Sequence, residues 1–181
     1  RLAEARVAGA ATTLDGGCSL FQAVRDAALR FGPSRTIVED VVTGALSYRK
    51  MLTGARLVGR RLEAMTKPGE AVGVLLPNAN GVVLSLLGLA SAGRVTAMMN
   101  YTAGPANTTA AVKAAAIRIV VSSKAFVEKA GLSDIVEAAE KGGAKLVWVE
   151  DIRASAGLLE KLVAALLWRF PLARQDPDRP A

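Results

Sequence analysis

From Lys67-Pro68-Gly69 onward the sequence alternates between short apolar runs and segments of helical period, and this alternation restricts the fold more than any other feature. "AVGVLL" (71–76) leads to a predicted helix from about Ala79 to Ala92. "VTAMM" (95–99) then precedes a helix near Thr108 to Ala116. "RIVVSS" (118–123) is followed by helices near 123–130 and 134–141, and "KLVWVE" (145–150) closes the series. Strands separated by whole helices pair side by side in the same direction, because a tight hairpin turn is not available to them. The expected class is therefore α/β, with a mostly parallel sheet and helices on both faces. "AVGVLL" and "RIVVSS" lack strict polar alternation, as strands covered on both sides do. The helix "GVVLSLLGLASAG" carries no charge and should be buried all round, with Gly88 permitting close approach of a neighbour.

Local signals organise the first third. Ser19 and Gln22 form an S-x-x-Q capping box, and Gly32-Pro33 ends the helix that it opens. Leu20, Val24, Ala27, Ala28 and Phe31 share one face of that helix. "RTIVED" and "LSY" read as short strands around a turn at Thr43-Gly44, and Ser47 caps the long helix "YRKMLTGARLVGRRLEAM". Met51, Leu52, Ala55, Val58, Leu62 and Met65 recur there at helical spacing, with Arg49, Arg56 and Arg60 near the opposite face, where a solvated surface is the ordinary reading. Ser133 is expected to cap the helix ending at Gly142-Gly143. In "AGLLEKLVAALLWRF", Leu158, Leu162, Leu166 and Phe170 form one row and Leu159, Val163 and Leu167 the next. Docking of that stripe onto the domain's own sheet or a neighbouring structure is expected in preference to a membrane-surface role. The organisation expected is a flexible segment over 1–18, an α/β unit over 19–170, and a linker over 171–181.

The residue inventory excludes whole classes of chemistry. Histidine is absent, which removes Ser-His-Asp and Cys-His nucleophile arrangements, and the single cysteine, Cys18, excludes an internal disulfide and a cysteine-rich zinc site. Pro77, Asn78 and Asn80 split the most apolar stretch, 71–93, into runs too short for the ~20 residues that a bilayer requires. Closely spaced glycines of the phosphate-cradling type are missing, so "LLPNANG" reads as a plain strand-to-helix turn. The two "VED" segments, Val38–Asp40 and Val149–Asp151, sit at predicted strand ends, where turn or helix-capping acids are the usual occupants. Net charge is +7, which suits an acidic partner or simply a soluble basic surface.

Taken in order, "LSYRKML" (46–52), "AVGVLLPNA" (71–79), "LLGLASAGRVTAMMNYTAG" (86–104), "IRIVVSSKAFVEKAGL" (117–132) and "LVWVEDIR" (146–153) resemble the front of the adenylate-forming (AMP-binding) ligase superfamily. They are most similar to the acyl-[acyl-carrier-protein] synthetase part of the bifunctional 2-acylglycerophosphoethanolamine acyltransferases. "LSY" and "LPN" mark only the superfamily, whereas "AMMNYTAG" points toward the acyl-carrier-protein branch. The resemblance implies that the methionines fill the sheet interior while Asn100, Tyr101 and Thr102, the candidate substrate-binding residues, leave their strand at its carboxyl edge, where open α/β sheets place ligand crevices.

The resemblance further implies an enzyme that uses ATP and magnesium to convert a fatty acid to an acyl-adenylate, then passes the acyl group to the phosphopantetheine thiol of acyl carrier protein. In the bifunctional relatives this feeds lysophospholipid re-acylation. The superfamily's Ser/Thr-rich glycine loop ending in Pro-Lys, its adenine-binding aromatic motif, its magnesium-binding glutamate and its C-terminal lysine have no counterpart here. No catalytic or metal-binding residue is therefore assigned, no bound cofactor is expected, and the chain by itself is expected to be inactive, its partner being the remainder of the same polypeptide. A cytoplasmic setting follows, with membrane attachment of the parent enzyme open and no nucleic-acid partner. Two other readings remain: a stand-alone α/β module binding an acidic protein or lipid, and part of an acyl-CoA synthetase.

Overall fold

The computed structural model describes residues 19–41 and 43–174. Cys18, the 1–18 segment and residues 175–181 of the expected linker lie outside the described residues. Helix α1 (Leu20–Phe31) leads to an antiparallel hairpin of β1 (Thr36–Asp40) and β2 (Gly44–Ser47), then to the long helix α2 (Tyr48–Glu63). The α/β series follows as β3 (Ala71–Leu75), α3 (Asn80–Ser91), β4 (Val95–Met98), a 3-10 turn (Tyr101–Ala103), α4 (Pro105–Ala114), β5 (Ile119–Ser122), α5 (Lys124–Ala130), α6 (Ser133–Lys141), β6 (Lys145–Trp148), α7 (Val149–Ser155) and α8 (Leu158–Leu166).

The four strands β3 to β6 form one parallel sheet in the order β4-β3-β5-β6. Its two faces are built by alternate residues of the same strands, since successive side chains of a strand point to opposite sides. Val72, Val74 and Leu76 of the β3 segment, with Ile119 and Val121, meet Val58 and Leu62 of α2, Val82 and Leu89 of α3, and Ile152 of α7. Leu75 and Val120 turn the other way, onto Val112 of α4 and Ile135 and Ala139 of α6. Val72, Val74, Leu75, Val120 and Val121 are wholly buried. At about 1.5–3 kcal/mol for each such side chain, these two central strands anchor the sheet.

A further layer lies outside α2 and α3, where Phe21 and Ala28 of α1 pack with Met51, Leu52, Ala55, Leu87 and Trp168. The capping box of α1 forms in both directions, Ser19 Oγ accepting from Gln22 N and Gln22 Oε1 from Ser19 N. Ser47 caps α2 as expected. The uncharged α3 is enclosed by the sheet on one side and α1 and α2 on the other. Gly88 and Gly59 of α2 bring those two backbones together: a Cβ at Gly88 would stand 2.6 Å from the Ala55 carbonyl oxygen, and one at Gly59 2.6 Å from that of Gly88.

Several expectations need correction. The buried face of α1 centres on Phe21 and Ala28, while Leu20 and Phe31 are about half exposed. Ser133 is the first residue of α6 rather than its cap, which is Leu132; the carboxylate of Asp134 instead accepts from Ile135 N. The side chain that caps a helix in this region is Ser123, on α5. Residues 149–155 are helical, so "KLVWVE" ends as a strand at Trp148. Of Met98 and Met99 one enters the interior: Met99 fills the space over Gly73, where a Cβ would meet its sulfur at 2.9 Å, whereas Met98 is more than half exposed on the edge strand. Residues 171–174 are seated on the end of α3, with the amides of Leu172 and Ala173 donating to Ser91 O.

Helix α8 was expected to dock on the domain's own sheet or on a neighbouring structure, and its apolar rows do not use the sheet. It rests on α2 through Ala164 and the adjacent Trp168, and Leu158, Leu159, Leu162 and Leu166 face outward.

Candidate functional site at the carboxyl edge of the sheet

From β3 the chain steps to β4 on one side, then crosses back over β3 to place β5 on the other. The carboxyl ends of β3 and β5 therefore diverge at a topological switch point, the place where open α/β sheets form a ligand crevice. Leu76-Pro77-Asn78 leaves β3 there. Ser122, fully buried at the end of β5, donates its hydroxyl to Leu75 O at 2.8 Å and holds the two strand ends together.

The three candidate residues lie on the next exit along the same rim. Asn100 Oδ1 accepts from Thr102 N at 3.0 Å and from Thr102 Oγ1 at 2.8 Å, so these two side chains shape the 3-10 turn that lifts the chain off β4. Tyr101 reaches away from that turn, and its ring meets Phe126 of α5 edge-on with 5.5 Å between centroids. Since β3 lies between β4 and β5, this contact links the exits of the two strands that flank it. The turn ends at Gly104, whose φ of +83° an L side chain rarely adopts, and Pro105 starts α4.

The acids of both "VED" segments work at this rim as capping groups. Asp40 Oδ2 accepts from Asn80 N at 3.0 Å and from Thr43 Oγ1 at 2.7 Å, so the hairpin supplies a carboxylate to the positive end of α3. Asn80, itself buried, returns Nδ2 hydrogen bonds to Thr43 Oγ1 and Gly44 O. Glu150 Oε1 accepts from Ser123 Oγ at 2.7 Å and lies 3.4 Å from Ala125 N, at the start of α5. Burial pushes the Glu150 carboxyl up, but the Ser123 hydroxyl and the amides of Glu150, Lys124 and Ala125 outweigh it and hold the group below the usual carboxylate range. Beside it, Lys124 Nζ contacts Asp151 Oδ1 at 2.6 Å.

This arrangement decides what the rim can hold. The helix starts best placed to receive a phosphate, those of α3 and α5, are already occupied by the chain's own carboxylates, which would repel one. Among the described residues no three acidic or thiol groups cluster to hold a metal ion. The described helix starts on this rim are thus a poor fit to the phosphates of a nucleotide. The rim forms a pre-shaped wall whose exposed features are the Asn100–Thr102 turn and Asn78.

Comparison with known proteins gives this wall its context. Residues 24–181 match the sequence profile described as AMP-binding enzyme. The chain belongs to the AMP-binding enzyme family. Its fold is similar to that of VinN, at 16% identity and a TM-score of 0.71 over 90% of this chain and 40% of VinN. It is also similar to the anthranilate CoA ligase AuaEII solved with anthranoyl-AMP, at 15% identity and TM-score 0.61 over 85% of this chain and 28% of that one. The benzoate CoA ligase from Burkholderia xenovorans LB400 aligns at 20% identity and TM-score 0.58 over 73% of this chain and 28% of its own. At such identities the likeness is one of fold. The sheet and its helices match the N-terminal subdomain of adenylate-forming ligases, and the chain spans well under half the length of these relatives.

Sequence reasoning placed the Asn100–Thr102 exit on this rim and read the acids of both "VED" segments as turn or helix-capping groups, but it missed Phe126, Ser122 and which helices Asp40 and Glu150 serve. The Ser123-Lys124-Ala125 run carried a readable cap signal. For Asp40 the capping role was readable but not the helix it serves, because its partner amide lies forty residues away.

Proposed function

We propose that this chain is one wall of the active site of a fatty acid:acyl-carrier-protein ligase. In that reaction ATP and magnesium convert a fatty acid to an acyl-adenylate, and the acyl group passes to a phosphopantetheine thiol, feeding lysophospholipid re-acylation. The observation that carries the reading is the strand exit at Asn100-Tyr101-Thr102, placed on the carboxyl rim of a sheet in an AMP-binding enzyme. There the turn is exposed, shaped by the Asn100–Thr102 hydrogen bonds and one strand from the switch point, so it suits a surface against which an acyl substrate is held. The phosphate-binding and metal-binding groups come from elsewhere in the full enzyme, since Asp40 and Glu150 occupy the helix starts on this side. A net charge of +7 supports approach of an acidic carrier protein.

An acyl-CoA ligase is the second reading, favoured by the likeness to two structures described as CoA ligases. The test is fatty-acid-dependent ATP–pyrophosphate exchange by the full-length parent enzyme, followed by competition between holo acyl carrier protein and coenzyme A for the acyl group. Exchange in the parent but not in the 181-residue chain, with preferential acylation of the carrier, is expected. Preferential acylation of coenzyme A would select the second reading, and fatty-acid-independent exchange would overturn both.

A further inference from the structure

Helix α8 is mounted inside out. Its small side chain Ala164 and the adjacent Trp168 face α2, while Leu158, Leu159, Leu162 and Leu166 are exposed by 76%, 75%, 59% and 76%. Val163 and Phe170 extend the same apolar surface. Single exposed leucines are ordinary, but a contiguous row within nine residues marks an interaction surface. The orientation is fixed from both ends. Arg61 donates to Ser155 Oγ at 2.8 Å just before the helix, and Arg56 donates to Phe170 O at 2.5 Å just after it. Burial and the nearby Arg60 guanidinium lower the Arg56 pKa, with Glu63 opposing, consistent with a group enclosed between α2 and the chain that follows α8.

We infer that this face docks on an anionic lipid surface, with the leucines entering the acyl boundary and a basic rim meeting the headgroups. In sequence, exposed Arg153 and Arg169 bracket the stripe and Lys161 lies on its helix, Arg169 stacking over Trp168, while Arg56 and Arg61 bond the chain at its two ends. Of the acidic side chains beside it, Glu160 is half-buried and Asp151 is paired with Lys124. A basic helix with an aliphatic face has the composition of one that lies in a membrane interface. Two features favour lipid over a folded partner. The stripe is apolar throughout, and the exposed cations near it supply the charge that an anionic headgroup layer attracts. A second copy of the chain would bring two basic rims together, which charge repulsion opposes. The inference rests on the geometry of α8 and not on the ligase reading, so either can fail alone.

The test is co-sedimentation of the 181-residue chain with phosphatidylethanolamine vesicles containing phosphatidylglycerol and with phosphatidylcholine vesicles. Light scattering of the free chain accompanies it. Partition onto the anionic vesicles is expected to exceed that onto neutral ones by about tenfold and to weaken as salt screens the basic rim. The triple variant Leu158→Ser, Leu162→Ser, Leu166→Ser should lose partition by a similar factor while keeping its thermal transition, because the three side chains make no core contact. Arg153→Gln with Arg169→Gln should abolish the preference for anionic over neutral lipid. The inference is overturned if the wild-type chain binds neither vesicle, if the serine variant binds as wild type does, or if light scattering shows a dimer that the serine variant dissolves. Capture only by an acidic protein such as holo acyl carrier protein would equally overturn it.

Discussion

Tyr101 and Phe126 meet edge to face, with 78° between their ring planes, and through them the turn after β4 is fastened to the helix after β5. An aromatic pair of this geometry adds about 0.5–1.5 kcal/mol beyond the area that it buries. A double-mutant cycle on Tyr101→Ala and Phe126→Ala, read by urea unfolding, should therefore return a coupling energy of about 1 kcal/mol. Tyr101→Phe should keep that energy, since the hydroxyl takes no part in the ring contact. In the full-length enzyme, a loss of fatty-acid-dependent exchange in Tyr101→Phe at unchanged stability would place the phenol hydroxyl on the substrate. Unchanged exchange would reduce Tyr101 to a fastener.

Glu150 gives the rim a pH dependence whose sign is fixed by its environment. Its carboxyl is held below the usual range in the folded protein, so the folded state favours the charged form. The stabilisation is complete above the unfolded value of about 4.3 and is lost as pH falls through the lower folded value. Replacement by Ala removes a helix cap and should cost about 1 kcal/mol at neutral pH. Glu150→Gln keeps an acceptor but not the charge. Its stability deficit, followed by thermal unfolding across the acid range, should shrink as pH drops below about 4.3, because wild-type Glu150 is then protonated as well.

What was readable in the sequence and what was not divides along the range of the interactions. The strand runs 71–76 and 118–123, the uncharged α3 and the Ser19 and Ser47 caps depend on neighbours a few residues away, and each takes its expected place. Asn100, Tyr101 and Thr102 reach the carboxyl rim because the strand ahead of them ends one residue early in a local turn. By contrast, Asp40 finds Asn80, Tyr101 finds Phe126 and Ser122 finds Leu75 only after the sheet has been assembled. For α8 the sequence left open which surface the apolar stripe meets, for a different reason. Periodicity shows that a helix has an apolar face but does not say which way it points. Here the hydrogen bonds from Arg56 and Arg61 settle that orientation.

Arg94 shows the same limit in the core. It is 3% exposed, at the turn between α3 and β4, and its guanidinium bonds Thr66 Oγ1 and the carbonyls of Glu63, Thr66 and Ala92. These are carbonyls at or just beyond the carboxyl ends of α2 and α3, which carry partial negative charge and favour a cation. Removing the side chain strands several of them out of water, at about 1–3 kcal/mol for each group left unpaired. Arg94→Ala should thus lower stability by roughly 3 kcal/mol in chemical denaturation. Arg94→Lys should recover only part of that, because an ammonium cannot reach the same set of oxygens as the planar fork.

The glycines of α3 give predictions of opposite sign from one helix. Gly→Ala within a helix ordinarily gains about 1 kcal/mol from propensity. At Gly81 a Cβ would have no heavy atom within 4 Å, so Gly81→Ala should raise stability by about 0.5–1 kcal/mol. At Gly88 the added carbon would stand 2.6 Å from Ala55 O and 2.9 Å from Gly59 N, both backbone atoms of α2 that cannot rotate away. Overpacking costs about 1–3 kcal/mol even where side chains can adjust, so the steric term outweighs propensity and Gly88→Ala should be destabilising by about 2 kcal/mol. Gly59→Ala meets Gly88 O at the same distance and should behave alike, since both substitutions force the same two backbones apart. Combining them should therefore cost less than their sum when unfolding is followed by circular dichroism. Full additivity would mean that the two helices do not separate as one contact, and a stabilising Gly88→Ala would contradict the close α2–α3 approach on which this face of the sheet is built.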